Sequence, residues 1–182
     1  QVQDPANLSR FIVTDAGRAT GRGAEVSLRN LITDTLSAFA TYGYTDATFD
    51  TTGSNGAPQL YAGSTFRLTA RHTASFGATV EHRSDRWGRF ALTPVWQYKS
   101  PHFFDDDNRL LGGTLRQSGY AVVNLRLTWT SLDRAWEATL YADNLFDRDY
   151  LVDGGNLGAN FGLPTLIRGA PRLLGVNLTR RW

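Results

Sequence analysis

The sequence predicts an all-β protein, namely an antiparallel transmembrane β-barrel segment of about eight strands. Three observations support this fold class: a composition typical of strands, apolar side chains that alternate with polar ones, and connections that alternate between short and long. Of the 182 residues, 12% are aromatic, 18 are Gly and none is Cys. Aromatic residues favour strands, and the lack of Cys excludes disulfides, thiol catalysis and thiolate metal sites.

Charged residues are few and balanced, with 19 Lys and Arg against 17 Asp and Glu and a formal net charge of +2. This balance argues against a charged disordered tail and gives no support for nucleic-acid binding. No apolar run reaches the roughly 18 residues of a transmembrane helix. Residues 1–10 show no signal peptide, and we expect the chain to be an excerpt of a longer protein.

The strands follow from a hydrophobic period of two. Residues 120–129 place Leu125 and Leu127 on one face and Asn124 and Arg126 on the other, because successive side chains of a strand point to opposite faces. The same alternation predicts strands over residues 24–29, 36–45, 73–81, 90–98, 136–143 and 174–182, and a weaker one over residues 10–14.

The connections between these strands alternate in length. Short turns are expected near residues 31–35, 82–89 and 130–135, and long links over residues 48–65, 100–118 and 146–170. Strands of about 9–11 residues, short periplasmic turns and long external loops are typical of outer-membrane barrels. Pro94 lacks an N–H, so we expect a bulge or a missing hydrogen bond there.

The alternation alone does not distinguish a membrane barrel from a soluble β-sandwich. Trp87, Trp129, Trp136 and Trp182 are expected at one end of the strands, as in the aromatic girdle of a membrane interface. Charges avoid the apolar face except for Arg180, which we expect to extend towards headgroups. These features favour lipid as the environment of the apolar face and a hydrated lumen for the polar face.

The last third of the chain carries a family motif. The segment WEATLYADNLFDRDY over residues 136–150, followed by Gly-Ala-Pro-Arg at 169–172 and a strand that ends in an aromatic residue, resembles the C-terminal end of TonB-dependent outer-membrane receptors. Residues 21–46 and 112–129 resemble other parts of that barrel. The motif positions are Asn144, Leu145, Phe146, Asp147, Tyr150, Pro171, Arg172 and Trp182, and we expect them to have a structural role.

The resemblance implies a barrel of about 22 strands with an N-terminal plug. Residues 1–182 are then the C-terminal part of the barrel domain, without the plug or the TonB box. It also implies ligand-gated uptake of a ferric siderophore or a similar scarce nutrient, driven by the TonB–ExbB–ExbD complex across the outer membrane of a Gram-negative bacterium. Outer-membrane lipid and the barrel assembly machinery, which reads the C-terminal strand, are further implied partners. No catalytic residue and no cofactor are expected.

Candidate ligand contacts lie in two predicted external loops. In the first, the aromatic residues can pack against a ligand and the acidic run can attract a cation or donors, although a solvated loop explains the same residues. These candidates are His102, Phe103, Phe104, Asp105, Asp106, Asp107 and Arg109. In the second loop they are Asn156, Asn160 and Phe161. The three His residues are far apart and no D-x-D-x-D-G run occurs, so no metal site is predicted.

Two alternatives remain open from the sequence. One is a self-contained eight-stranded barrel that acts as a membrane anchor or a lipid-modifying enzyme. The other is a soluble β-sandwich that binds a ligand. A segment of a larger barrel predicts an open sheet whose first and last strands are unpaired and whose apolar face lacks a second layer.

Overall fold

The computed structural model describes residues 2–4, 7–12, 17–53, 56–155 and 165–182, with the backbone alone for the first two ranges. Thirteen strands and one short 3₁₀ helix, Leu110–Gly113, occur in these ranges. The strands are β1 Val2–Asp4, β2 Asn7–Ile12, β3 Ala19–Thr33, β4 Leu36–Phe49, β5 His72–Ser84, β6 Gly88–Lys99, β7 His102–Phe103, β8 Arg116–Gln117, β9 Tyr120–Thr130, β10 Trp136–Asp143, β11 Leu151–Gly155, β12 Thr165–Arg168 and β13 Leu173–Arg180.

Seven of these strands form one antiparallel sheet in the order β13-β10-β9-β6-β5-β4-β3. The edge strands β3 and β13 are not paired with each other, so the sheet is open, as predicted for a segment of a larger barrel. The self-contained eight-stranded barrel needs that closing pair and does not match this structure. The weak strand predicted over residues 10–14 overlaps β2, but β2 pairs with β1 and is not an eighth strand of the sheet.

No described residue forms a second layer on the apolar face of the sheet. Leu140 is 52% exposed and Val176 is 65% exposed. Ala142 is buried because its methyl group lies between the longer side chains of its cross-strand partners Leu125 and Leu174. The β-sandwich alternative is therefore wrong, since a sandwich buries this face against another sheet. Among the described residues, no helix is both long and apolar enough to span a membrane.

Several charged side chains on the polar face form ion pairs along the sheet. Glu81 accepts a hydrogen bond from Arg89 at 3.2 Å, and Arg126 of β9 contacts Asp143 of the neighbouring strand β10 at 3.3 Å. Threonine hydroxyls also pair between neighbouring strands, at 2.9 Å and 3.0 Å. Such compensated charges and hydroxyls suit a hydrated interior, so we call this the inner face.

The predicted irregularity at Pro94 is a gap in the ladder between β5 and β6. The pairs run from Thr73 to Gly77 and resume at Val80, and the register is the same on both sides. The missing hydrogen bond of proline is thus tolerated without a bulge. Beside it, the Phe39 ring covers Gly77, whose added Cβ would lie 2.5 Å from a ring carbon.

The turn end of the sheet gathers the predicted tryptophans. The Trp129 indole donates to the Trp87 carbonyl, and Trp136 pairs directly with Arg180. The Arg180 guanidinium lies 5.0 Å from the Trp136 ring centre and 3.8 Å from that of Trp182. A cation held over exposed rings at the end of the sheet explains how the apolar face carries Arg180.

Candidate functional site

The three long connections all leave the same end of the sheet. The first loop covers residues 50–71, the second loop residues 100–119 and the third loop residues 144–172. The short turns lie at the opposite end, because each strand reverses direction. The loops therefore emerge at one end of the sheet, and their mutual contacts decide which side chains remain accessible.

The second and third loops enclose a small core. Phe104 is 1% exposed, and its ring would lie 2.7 Å from a Cβ added at Gly154. His102 is 6% exposed, donates from Nδ1 to the Ser100 carbonyl at 3.1 Å, and meets the Phe104 ring edge-on. Leu115 closes the same core. His102 and Phe104, which the sequence suggested as ligand contacts, therefore pack the loops together.

The acidic run bonds to its own loop and to the first loop. Asp105 accepts from the Asp107 amide at 2.9 Å, and Asp106 accepts from the Arg67 amide at 2.9 Å. Asp107 forms an ion pair with Arg109 at 3.2 Å. Burial raises the pKa of the Asp105 carboxyl, and the charges of the two following aspartates add to this rise. The run thus orders the loops, and the described residues include no group of three metal-ligating side chains.

Asn108 joins the first loop to the second. Its Oδ1 accepts from the Thr65 amide at 2.7 Å and from the Thr65 hydroxyl at 2.9 Å. Its Nδ2 donates to the carbonyls of Thr65 and Asp105, both at 3.0 Å. An ion pair between Arg67 and Asp153 at 3.1 Å extends the connection to the third loop. The three loops consequently form one bonded layer.

The motif at residues 144–150 shapes the start of the third loop. Asn144 is 5% exposed and has a φ of 50°. Its side chain accepts from the Arg148 amide at 2.8 Å and donates to the carbonyls of Arg148 and Ala170. Asp147 accepts from the Arg172 amide at 2.9 Å. These bonds tie the two ends of the third loop to each other.

Other motif residues have different environments. Phe146 is 74% exposed, and Leu145 donates its amide to the Val123 carbonyl at 2.7 Å. Pro171 lies in the connection that leads into β13. Asn156, Asn160 and Phe161, the candidates in the third loop, lie outside the described residues.

A cavity of about 300 Å³ opens beneath this layer of loops, on the inner face. Two cross-strand rows form its floor: Thr73, Lys99 and Tyr120 in one, Ser75, Gln97 and Val122 in the next. Tyr150 of the motif stacks on Tyr120 with ring centres 4.5 Å apart. Sequence reasoning did not identify this group. Strand periodicity assigns each residue to a face, but only the register brings these positions side by side.

The family follows from comparison with known proteins. A family model described as TonB dependent receptor-like, beta-barrel, matches residues 1–145. The pesticin receptor of Yersinia pestis is 32% identical over 120 residues, which cover 60% of this chain and 17% of that receptor. The pesticin receptor of Yersinia enterocolitica is 31% identical over 120 residues. The chain spans only 17% of the length of these curated relatives.

Solved structures share the fold. The ferric yersiniabactin uptake receptor from Yersinia pestis has a TM-score of 0.78 at 24% identity, over 91% of this chain and 24% of that chain. The ferric preacinetobactin receptor from Acinetobacter baumannii has a TM-score of 0.68 at 18% identity, over 94% of this chain and 24% of that chain. These matches confirm the resemblance that the motifs indicated. The chain belongs to the TonB-dependent receptor β-barrels, which are transport receptors of the Gram-negative outer membrane.

Proposed function

We propose that the protein containing this chain is a ligand-gated active transporter that takes up a ferric siderophore or a similar scarce nutrient. The observation that carries the proposal is the family match over residues 1–145. Structural neighbours that are named as receptors for ferric yersiniabactin and ferric preacinetobactin support the substrate class. The layer of bonded loops above a polar inner face supports a role in receiving a ligand from outside the cell.

The chain supplies one part of this transporter. Residues 1–182 contribute seven strands of barrel wall and three external loops, while the plug and the contact with the TonB–ExbB–ExbD complex come from other parts of the protein. The exposed apolar face meets outer-membrane lipid, and the last strand with Trp182 is the segment that the barrel assembly machinery reads. The transport role needs no bond-breaking chemistry from these residues.

Accessible side chains of the loops are the ligand contacts in this proposal. Phe103, Asp106 and Asp107 are half-buried, and Arg109 is exposed. Asn156, Asn160 and Phe161, which lie outside the described residues, are further proposed ligand contacts. His102 and Phe104 support it from within, since both are buried in the loop core.

Uptake by intact cells tests the function. The gene for the full-length protein is deleted from its host, and cells are supplied with radioactive iron as ferric siderophores, with haem or with cobalamin. We expect loss of uptake of one of these nutrients, recovery with the intact gene, and the same loss when a protonophore removes the energy for TonB.

A matched control separates transport from expression. Leu132 lies in a short turn and is 60% exposed, so a gene carrying Leu132→Ala should restore uptake as the intact gene does. Unchanged uptake of every nutrient in the deletion strain would contradict the proposed function.

A further inference from the structure

The cavity beneath the loops has a single charged side chain among the described residues that line it, namely Lys99. This residue is also the only lysine of the chain. It is exposed and forms no ion pair with any described residue, whereas Arg89, Arg126 and Arg181 on the same face each face a carboxylate. Arg83 also lacks such a partner but lies outside the cavity, at the turn end of the sheet. An uncompensated ammonium in a concave site favours an anion.

The neighbours of Lys99 are hydrogen-bond donors. The Gln97 Oε1 accepts from Asn124 Nδ2 at 3.3 Å, and Asn124 Oδ1 in turn accepts from the Asn144 amide at 2.9 Å. This chain of bonds occupies the amide oxygen of Gln97 and leaves its NH₂ group to donate into the cavity. Hydroxyls of Thr73 and Ser75 line the same floor. The donor set matches a carboxylate or phenolate oxygen.

One wall of the cavity is aromatic. Tyr120 and Tyr150 lie nearly parallel, with 18° between their planes. The Tyr150 ring packs closely against the backbone of Gly169, where an added Cβ would lie 2.2 Å from a ring carbon. The bonds of Asn144 to Arg148 and Ala170 fix the backbone on both sides of this contact. A rigid aromatic pair beside a cation suits a planar ring that carries negative charge.

We propose that this cavity, which we call the Lys99 subsite, binds an anionic aryl group of the transported ligand. Lys99 takes the negative oxygen, Gln97 donates a hydrogen bond, and Tyr120 with Tyr150 contacts the ring. The proposal rests on the proposed function, since it gives the substrate class for the same site. It adds that the ligand presents an aryl carboxylate or phenolate to the barrel wall beneath the loops.

Binding of salicylate to the purified full-length receptor tests the subsite. Calorimetric titration should show a dissociation constant that rises at least about tenfold in Lys99→Gln and recovers in Lys99→Arg. Benzylamine, which is cationic, should bind more weakly than salicylate, and cyclohexanecarboxylate should also bind more weakly because it lacks the planar ring.

Arg83→Gln is the matched control. Arg83 lies on the same face at the turn end of the sheet, directly opposite Arg89, and its loss changes the net charge by the same amount. Salicylate affinity should stay within about twofold in this variant. Absence of salicylate binding, equal binding to Lys99→Gln, or an equal loss in Arg83→Gln would each overturn the subsite.

Cellular uptake separates this proposal from the function on which it rests. If a nutrient is imported and Lys99→Gln lowers its uptake while Arg83→Gln does not, both stand. If import occurs but is indifferent to Lys99→Gln, the subsite is wrong and the transporter remains. If no nutrient is imported although salicylate binding depends on Lys99, the transport function is wrong and the anion site remains.

Discussion

Replacing Asn144 by alanine removes three hydrogen bonds from the buried start of the third loop. The side chain is the acceptor for the Arg148 amide and the donor to the carbonyls of Arg148 and Ala170. Since Asn144 is 5% exposed, water does not readily replace these partners. The substitution therefore tests whether this side chain holds the two ends of the loop together.

The expected magnitude follows from the bonds and the backbone. Three hydrogen bonds at about 1 kcal/mol each give roughly 3 kcal/mol. The φ of Asn144 is 50°, and alanine in this left-handed region adds about 1 kcal/mol. Asn144→Gly avoids the second contribution, because glycine adopts positive φ without a Cβ penalty. We thus expect a loss of roughly 4 kcal/mol in local stability for Asn144→Ala and roughly 3 kcal/mol for Asn144→Gly.

Hydrogen exchange of the Arg148 amide in the full-length receptor measures this loss. A change of about 3 kcal/mol corresponds to exchange faster by on the order of 100-fold. Asn177→Ala provides the control, since Asn177 is exposed on the inner face of β13 and accepts only a 3.5 Å bond from Thr179. If Arg148 exchanges at the wild-type rate in both Asn144 variants, the side chain does not hold the loop and the reasoning is refuted.

Three further experiments test the faces and turns of the sheet. Gly77→Ala should destabilise the folded barrel in urea titrations by about 1–3 kcal/mol, because its Cβ meets the Phe39 ring at 2.5 Å; Phe39→Ala should rescue it, and no rescue would contradict the contact. Leu140→Arg should cost about 2–4 kcal/mol in vesicles and Thr139→Arg on the inner face much less, whereas equal costs would argue against a lipid-facing side. The pKa of Asp133 is held low by a serine hydroxyl and a backbone amide; the stabilisation is present above the ordinary carboxyl pKa of about 4 and lost as pH falls through the lowered value. The Ala135 amide donates to the Asp133 carboxylate, and its protection from hydrogen exchange should fall in that acidic range. Constant protection of this amide would show that the carboxylate does not stabilise the turn.

Periodicity identified the seven strands of the sheet but not their full lengths. Residues 24–29 were predicted as a strand, and β3 extends over Ala19–Thr33. The added residues include Gly21, Arg22 and Gly23, which show no apolar alternation. They nevertheless pair with β4 through the backbone, from Ala19 opposite Phe49 onwards. Backbone pairing continues beyond the residues with apolar alternation, and side-chain patterns do not indicate these additional pairs.

The loops were predictable in position but not in contacts. The acidic run and the aromatic pair at residues 103–107 indicate ligand contacts by their charge and aromaticity alone. Burial of Phe104 depends on Gly154 in another loop, and the role of Asp106 depends on the Arg67 amide. Such long-range partners have no local signature, so the sequence alone overestimated the accessibility of His102 and Phe104.

The motif residues Asn144 and Tyr150 link the structure of the third loop to that of the cavity. Asn144 and Tyr150 were expected to be structural because they follow a strand in a familiar order. In the structure, the bonds of Asn144 shape the turn that brings Tyr150 against Tyr120, and its amide starts the hydrogen-bond chain through Asn124 to Gln97. A residue that orders a loop therefore also orients a donor in the cavity. For this reason Asn124→Leu should weaken salicylate binding while Lys99 is intact, and unchanged binding in that variant would show that Gln97 needs no such support.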